Sequence, residues 1–425
     1  MKTKHQRFTR IYCFAVIVFS TLSCSNSRHI ASENTAAEQA SFLFLSDIHL
    51  NTQADTTTYG YDTGMDLWAR FLQKADSVLG SSNSPEFILY TGDLPAHYSC
   101  SPSCYLDSNN RVVHNQNLSV ILTGLRNLAD KYHKPLFYMP GNNDGIAGDY
   151  YSFADEDQQT PFSLVPENKN PFPALNIHSG TSKAPCIVSM PNLTMGYYSA
   201  RPVKGLRLIC LNTVMYDKDF ITADGTNKDV DRQTEMTWLT GQLAEAAAMN
   251  EKIYIAMHIP PGTDAYSGKD MWDDHSTNWK NMFLSLTTQY SANIAGIFYG
   301  HTHMDELRRL YDSTNTHITE VAISCPGVTP QHSNNPGFKT VSYNRSSKEV
   351  MDFTTYYTTP GGIGWGSNTY NFNTTFGNTP AVSIYQRISG MTLTNVNAGM
   401  TNIFTVKHGP PGYNIQQGIE VMWGK

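Results

Sequence analysis

Seven short apolar runs punctuate this chain, and five of them end on a residue that can bind a metal. The runs are Phe42–Leu45, Phe87–Tyr90, Leu136–Met139, Leu206–Leu211, Ile253–Met257, Ile294–Tyr299 and Ile318–Ile323. Each is a few residues long and is followed by a polar or glycine-containing turn, the signature of a buried strand. Between several of them the apolar spacing becomes helical. Met65–Leu79 places Leu67, Trp68, Phe71, Leu72, Val78 and Leu79 on one face; Leu118–Tyr132 and Arg232–Met249 behave alike, the latter with Trp238, Leu239 and Leu243. Strands alternating with helices predict an α/β domain around a largely buried sheet.

The residues at the strand ends fall into short strings. Asp47 and His49 lie in SDIHL, Asp93 closes TGD, Asn142 and Asn143 lie in GNND, His258 opens HIPPG, and His301 and His303 lie in GHTH. Side chains at strand exits converge on one edge of an α/β sheet, where such folds place their ligands. Carboxylate oxygen, amide oxygen and imidazole nitrogen suit zinc, iron or manganese better than thiolate-seeking ions. One carboxylate can bridge two divalent cations about 3.5–4 Å apart, letting them share a hydroxide and clamp a phosphate. Asp93 is the expected bridge. Asp47, His49 and His303 complete a first site, and Asn142, His258 and His301 a second. Singly, each residue has an ordinary reading: an Asp after Thr91-Gly92 is commonly a turn former, and a His after an apolar strand is commonly a hydrogen-bonded core residue. The ordered recurrence at strand ends carries the metal reading.

In order, these strings resemble the signature D-x-H, GD, GN-H/N-D, H, GH-x-H of the calcineurin-like metallophosphoesterases. Longer stretches narrow the resemblance to the acid sphingomyelinase-like phosphodiesterases: GDLPAH at 92–97, HIPPG at 258–262, GHTHMDELRRLYD at 300–312 and TPQHSNNPGFKTVSYN at 329–344. The likeness covers about residues 41–345 and, weakly, YNFNTTFG at 370–377. It implies a four-layer α/β/β/α sandwich, a dinuclear and usually zinc centre, and a catalytic His97 near the leaving oxygen. One position departs from the family. Where its members usually have GNHD, with the His as favoured general acid, this chain has Asn143, whose amide can donate a hydrogen bond but delivers no proton at neutral pH. GNND strings occur among the related endopolyphosphatases, so an endopolyphosphatase-like hydrolase is the second reading. A surface lipoprotein that binds metal or ligand without turnover is the third.

The start of the chain reads as an export signal. Lys2, Lys4, Arg7 and Arg10 precede the apolar stretch Ile11–Leu22, which is too short to span a bilayer comfortably, and Ser23-Cys24 follows. Thr21–Cys24 resembles a bacterial lipoprotein cleavage site, giving a signal over 1–23, a lipid anchor at Cys24 and a polar tether over 24–40. The expected location is therefore periplasmic or cell-surface. Without the first 23 residues the chain carries 26 Lys and Arg against 36 Asp and Glu, a net charge of −10 compared with −6 for the whole. That balance excludes duplex nucleic acid as an expected partner, because such binding rests on clustered basic residues. Cys100 and Cys104 form the candidate disulfide, and Cys210 reads as a buried thiol. The metallophosphoesterase domain is expected over 41–345, and a Thr-, Asn- and Gly-rich C-terminal subdomain over 346–425. Asp149–Ser199 reads as a surface excursion. The 17 residues between Cys24 and Ala40 leave no room for a saposin-like lipid-handling domain, so a soluble phosphodiester, nucleotide or polyphosphate is the expected substrate.

Overall fold

A computed structural model describes residues 38–97, 108–161, 186–264, 267–272, 278–362, 364–366, 368–379, 381–403, 412–416 and 419–423. The expected signal, the Cys24 anchor, most of the tether and the Cys100/Cys104 pair lie outside the described residues. In chain order the strands are β1 (Gln39–Leu45), β2 (Ile88–Tyr90), β3 (Leu136–Tyr138), β4 (Ile187–Ser189), β5 (Tyr198–Ala200), β6 (Leu206–Cys210), β7 (Lys252–Ala256), β8 (Ile294–Tyr299), β9 (Glu306–Tyr311), β10 (Ile318–Ser324), β11 (Gly337–Asn344), β12 (Val350–Tyr357), β13 (Thr369–Asn371), β14 (Gly412–Gln416) and β15 (Ile419–Trp423). The helices used below are α1 (Met65–Leu79), α2 (Ser108–Lys131), α3 (Lys228–Ala248) and α4 (Trp279–Gln289).

Two sheets form. The first has the order β13-β12-β11-β1-β2-β3 and the second β14-β15-β9-β10-β8-β7-β6-β5-β4. Parallel pairing links β1, β2 and β3 in one sheet and β6, β7, β8 and β10 in the other. The remaining pairs are antiparallel, including β1 with β11 at the middle of the first sheet.

The period of two along each strand decides which layer a side chain joins. Phe42 of β1 stacks on Phe87 at 4.8 Å between ring centroids and meets Phe298 of β8 edge-on at 5.1 Å, while Tyr254 of β7 meets the same Phe298 ring at 5.1 Å. These rings close the space between the sheets. Residues of opposite parity face outward: Leu43 pairs with Thr340 on the face where Phe338 meets Phe71 of α1 at 5.5 Å. On the far side Ile253, Ile255 and Met257 pack with Met236, Leu239 and Leu243 of α3 and Phe283 of α4. The result is the expected α/β/β/α sandwich. Helix α1 shows why its sequence obeys: Leu67, Trp68, Phe71, Ala75, Val78 and Leu79 are buried at three- and four-residue spacing, and Gly80 follows its last turn.

Residues expected to form a C-terminal subdomain are woven into both sheets. β12 and β13 extend the first sheet and β15 pairs with β9 of the second. The expected boundary near residue 345 falls in the turn of the β11–β12 hairpin, where Tyr343 pairs with Val350. Gln39 and Ala40, placed in the tether by sequence, open β1. The described ends of the Asp149–Ser199 excursion supply β4 and most of β5, at the edge of the second sheet. Among the described residues no helix is long and apolar enough to cross a membrane.

Candidate metal centre

The C-terminal ends of the parallel strands β1, β2, β3, β7 and β8 point to one edge of the sandwich. Asp47 and His49 follow β1, Asp93 follows β2, Asn142 and Asn143 follow β3, His258 follows β7, and His301 and His303 follow β8. Five of these positions are left-handed: φ is 48° at Asp47, 44° at His49, 63° at Asp93, 71° at His301 and 55° at His303. Non-glycine residues adopt such values rarely, at a cost of about 1–3 kcal/mol each, and they persist only where surrounding structure enforces them. Here the backbone does so. Asp47 N donates to Gly92 O at 3.0 Å, and Ile48 N and His49 N donate to Asp93 O at 3.0 and 3.2 Å. Glycines permit the close approach: a Cβ at Gly141 would lie 2.1 Å from Asp93 Oδ1, and one at Gly300 would lie 2.0 Å from Ser46 Oγ.

Three candidate ligand groups result among the described residues: two share a carboxylate, and the third sets His97 with His49 and His303. Asp47, His49, Asp93 and His303 place one ligand atom each within 4.8 Å of one another, as do Asp93, His258 and His301. Asp93 Oδ2 is 3.2 Å from both His49 Nε2 and His258 Nε2. His303 Nε2 is 3.5 Å from Asp47 Oδ1 and 3.2 Å from His49 Nε2. Asn142 Oδ1 joins the second group, 3.1 Å from His258 Nε2 and 2.9 Å from His301 Nδ1. Asp47, His49, His258 and His303 are sealed from solvent or nearly so.

The donor set fits divalent cations. His49 Nδ1 lies 3.0 Å from Pro95 O and His258 Nδ1 lies 2.6 Å from Thr91 O. A backbone carbonyl only accepts hydrogen bonds, so each ring carries a hydrogen on Nδ1 and aims Nε2 inward, the atom that would take up a metal. Burial pushes the Asp47 carboxyl up to about 7, with the Asp93 charge adding to the rise. Burial would raise Asp93 too, but His258 and His49 outweigh it and hold it well below the usual range. Burial would lower His258, yet Asp93 and Asp47 hold it up at about 9. His301 is pushed down to about 3 by burial and the His258 charge, and His303 falls well below the ordinary value through burial and neighbouring imidazoles. Two buried carboxylates among imidazoles thus form a strained titrating set, which divalent charge would relieve.

The two expected catalytic residues sit differently. His97 stacks on His49 with centroids 3.8 Å apart, and its Nδ1 lies 2.8 Å from Asp62 Oδ1 while its backbone N donates to Asp62 Oδ2 at 2.8 Å. Burial would lower the His97 pKa, but the Asp62 carboxylate outweighs it and raises it. Asn143 instead turns to Asp93: its backbone N donates to Oδ1 at 2.8 Å and its Nδ2 to Oδ2 at 3.1 Å. Its amide is engaged with the shared carboxylate.

Several residues of the site carry no sequence signal of their own. Asp62, in the polar loop before α1, orients His97. Asp144 accepts from the backbone N of Asp93, Leu94 and Gly141 at 3.0, 2.7 and 2.7 Å and from the Tyr138 hydroxyl at 2.6 Å, tying the β2 and β3 exits together. Its place at the end of GNND was the available hint. Asp149 accepts from Asn142 Nδ2 at 2.7 Å, which aims Asn142 Oδ1 at the imidazoles. Arg308, buried in β9, donates to Pro261 O at 2.8 Å and fixes the loop after His258.

An α/β/β/α sandwich whose parallel strand ends present a shared-carboxylate Asp/His/Asn cluster is a candidate site for divalent cations. The sequence profile described as calcineurin-like phosphoesterase matches residues 40–305, and the chain belongs to that family. Within it the resemblance is to the acid sphingomyelinase-like branch. The chain is 26% identical over 319 residues to "Sphingomyelinase phosphodiesterase D" of Dictyostelium discoideum, covering 73% of this chain and 64% of that one. It is 26% identical to the sphingomyelin phosphodiesterase of Bos taurus, over 70% of this chain and 44% of that one. To a cyclic GMP-AMP phosphodiesterase of Mus musculus it is 28% identical, over 67% and 60% respectively. The chain thus matches less than two thirds of the length of each of these relatives.

Proposed function

We propose that the chain is an exported phosphodiesterase that holds two divalent cations, zinc by preference, and hydrolyses a small soluble phosphodiester. The observation that supports it most is Asp93, whose Oδ2 stands 3.2 Å from an imidazole of each ligand group. Bound cations at such a pair of sites polarise phosphate oxygens and ease deprotonation of a water. The chain's own residues supply the rest. Asp62 holds the His97 ring against His49 with Nδ1 engaged, which leaves Nε2 to donate a proton to the departing oxygen. Asn143, engaged with Asp93, steadies the shared carboxylate and leaves proton delivery to His97.

The relatives' names, sphingomyelin and cyclic GMP-AMP phosphodiesterases, share a small phosphodiester as substrate class, and that class is proposed here. A long polyphosphate fits the surroundings less well. Asp149 and Asp217 lie on the Asn142 side, where burial raises both carboxyls only to about 6, so they stay largely ionised at neutral pH and repel a polyanion. The basic start, the apolar run and Cys24 support export with a lipid anchor on a bacterial membrane.

The test is hydrolysis of bis(p-nitrophenyl) phosphate by the full chain, before and after chelation and after zinc, iron or manganese is returned. Activity abolished by the chelator and restored by added metal is expected. Diester hydrolysis that survives thorough chelation, or none under any metal, defeats the reading.

A further inference from the structure

Two further imidazoles pack against the rings of His49 and His303. His97 stacks on His49, and His332 packs edge-on against His303 with centroids 4.6 Å apart. His97 and His332 then face each other at 6.4 Å, their planes 82° apart. The sequence strings give His97 a role and give His332 none.

The loop that carries His332 is fixed to the ligands' own backbone. Val328 N and Thr329 N donate to Ser46 O and Asp47 O at 3.3 and 3.1 Å, and Asn334 Nδ2 donates to His303 O at 3.0 Å. Gly60 N and Ser333 N both donate to Pro330 O, at 3.0 and 2.8 Å, and the Tyr59 hydroxyl bonds the Asn335 side chain. Thr329 and Asn334 are buried, Ser333 turns with φ 62°, and His332 at the apex is exposed. A loop so anchored, with one solvent-facing imidazole held beside a metal-ligand ring, is a pre-positioned contact. The ring is exposed where Asp47, His49 and His303 are buried, so it is suited to a group attached to a phosphate rather than to the phosphate itself.

Resting on the phosphodiesterase reading above, we infer that His332 is a specificity residue that contacts the esterified group of the substrate, opposite His97. It takes up a polar contact on the outer side of the centre, whereas the Asn143 amide is engaged with Asp93. The ligand class is a phosphodiester whose ester group bears a hydrogen-bonding or aromatic face, since an imidazole offers both an N–H and a ring.

The experiment compares the wild type, His332→Ala and His332→Gln, all full chain and metal-loaded. Loss of one contact made equally in the bound and reacting states raises KM and leaves kcat alone. For bis(p-nitrophenyl) phosphate we expect KM to rise about tenfold in His332→Ala, the size of one lost hydrogen bond, with kcat within twofold. His332→Gln should recover part of the loss. Inhibition by inorganic phosphate, which has no ester group, and metal content should be unchanged in both. Calorimetric titration with diphenyl phosphate and with inorganic phosphate repeats the comparison without turnover. An inactive wild type would therefore defeat the phosphodiesterase reading alone, while weakened diester binding in His332→Ala would still support the contact. Unchanged KM and diester affinity, a parallel loss of phosphate inhibition, or a fall in metal content would each overturn it, the last by making His332 part of the metal site.

Discussion

Two of the buried charge clusters in the sandwich are neutralised in different ways. Asp305, just past His303, is paired with the Lys339 ammonium of β11 and accepts from the Thr355 and Tyr370 hydroxyls, all within the protein. Lys339 also sits over the Phe353 ring at 4.5 Å. Burial pushes the Asp305 carboxyl up and the Lys339 amine down, while their pairing opposes both shifts. Asp47 and Asp93 are as deeply buried but have imidazoles and amides around them in place of a lysine or arginine. The first cluster closes on itself; the second calls for charge from outside. That difference separates a structural ion pair from a metal centre more sharply than burial does, since both are dry.

The largest effect should come from breaking the open cluster at its shared member. Asp93→Asn should cost far more activity than the roughly 10–100-fold typical of losing a residue that only supports a ligand. It should also remove the metal dependence of stability, because a cation that binds only the folded state raises the unfolding temperature. Thermal scans of wild type and variant, each with chelator and with zinc, read this directly. An equal zinc-induced rise in both proteins would exclude Asp93 as a ligand.

Lys339→Met attacks the closed cluster and should leave the metal alone. Removing one partner of a buried ion pair strands the other and costs about 3–5 kcal/mol. Pairing the change with Asp305→Asn should restore most of that loss, since a buried carboxylate no longer lacks its cation. Denaturant unfolding and metal content together decide it. If the double variant is no more stable than Lys339→Met, the pair is not the main reason Asp305 tolerates burial.

The contrast also explains what could be read in the sequence. The parallel strands and the cluster of side chains at their ends were legible because apolar runs and strand-end residues leave a local signal; α1 runs over the expected Met65–Leu79. β9 was hidden because it buries Glu306, Arg308 and Arg309, which look like surface residues until their partners are seen. Arg308 is answered by Glu306 and Pro261 O, and Arg309 by Glu420 and Ile388 O, from 79 to 111 residues away for the last two. β11 and β12 were masked in the same way by Lys339, Thr355 and Asp352. Helix α2 starts ten residues before its apolar pattern, in a polar stretch with no period to read. Asp62, Asp149 and His332 act through loop geometry, which no spacing rule encodes. The tail after residue 345 looked separate because its composition changes, although its backbone completes both sheets.

A buried carboxylate outside both clusters sharpens the comparison with the smallest expected effect. Glu235 of α3 accepts from Asn212 N at 2.7 Å and lies beside the Tyr216 hydroxyl, and burial pushes its pKa from the ordinary 4.5 up to about 8. It keeps its proton at neutral pH, where Asp305 takes a lysine and Asp47 with Asp93 stand among imidazoles. Because the folded state binds this proton more tightly than the unfolded chain, its stabilising contribution is full below pH 4.5 and is lost as pH rises through about 8. Glu235→Gln keeps the shape and an acceptor oxygen but cannot ionise. Its unfolding temperature relative to wild type should therefore climb between pH 5 and 9, from at or slightly below wild type to a few degrees above it, with diesterase activity unchanged at each pH. A difference that stays flat across that range would mean Glu235 ionises freely where it sits, and that this part of the sandwich is wetter than its packing indicates.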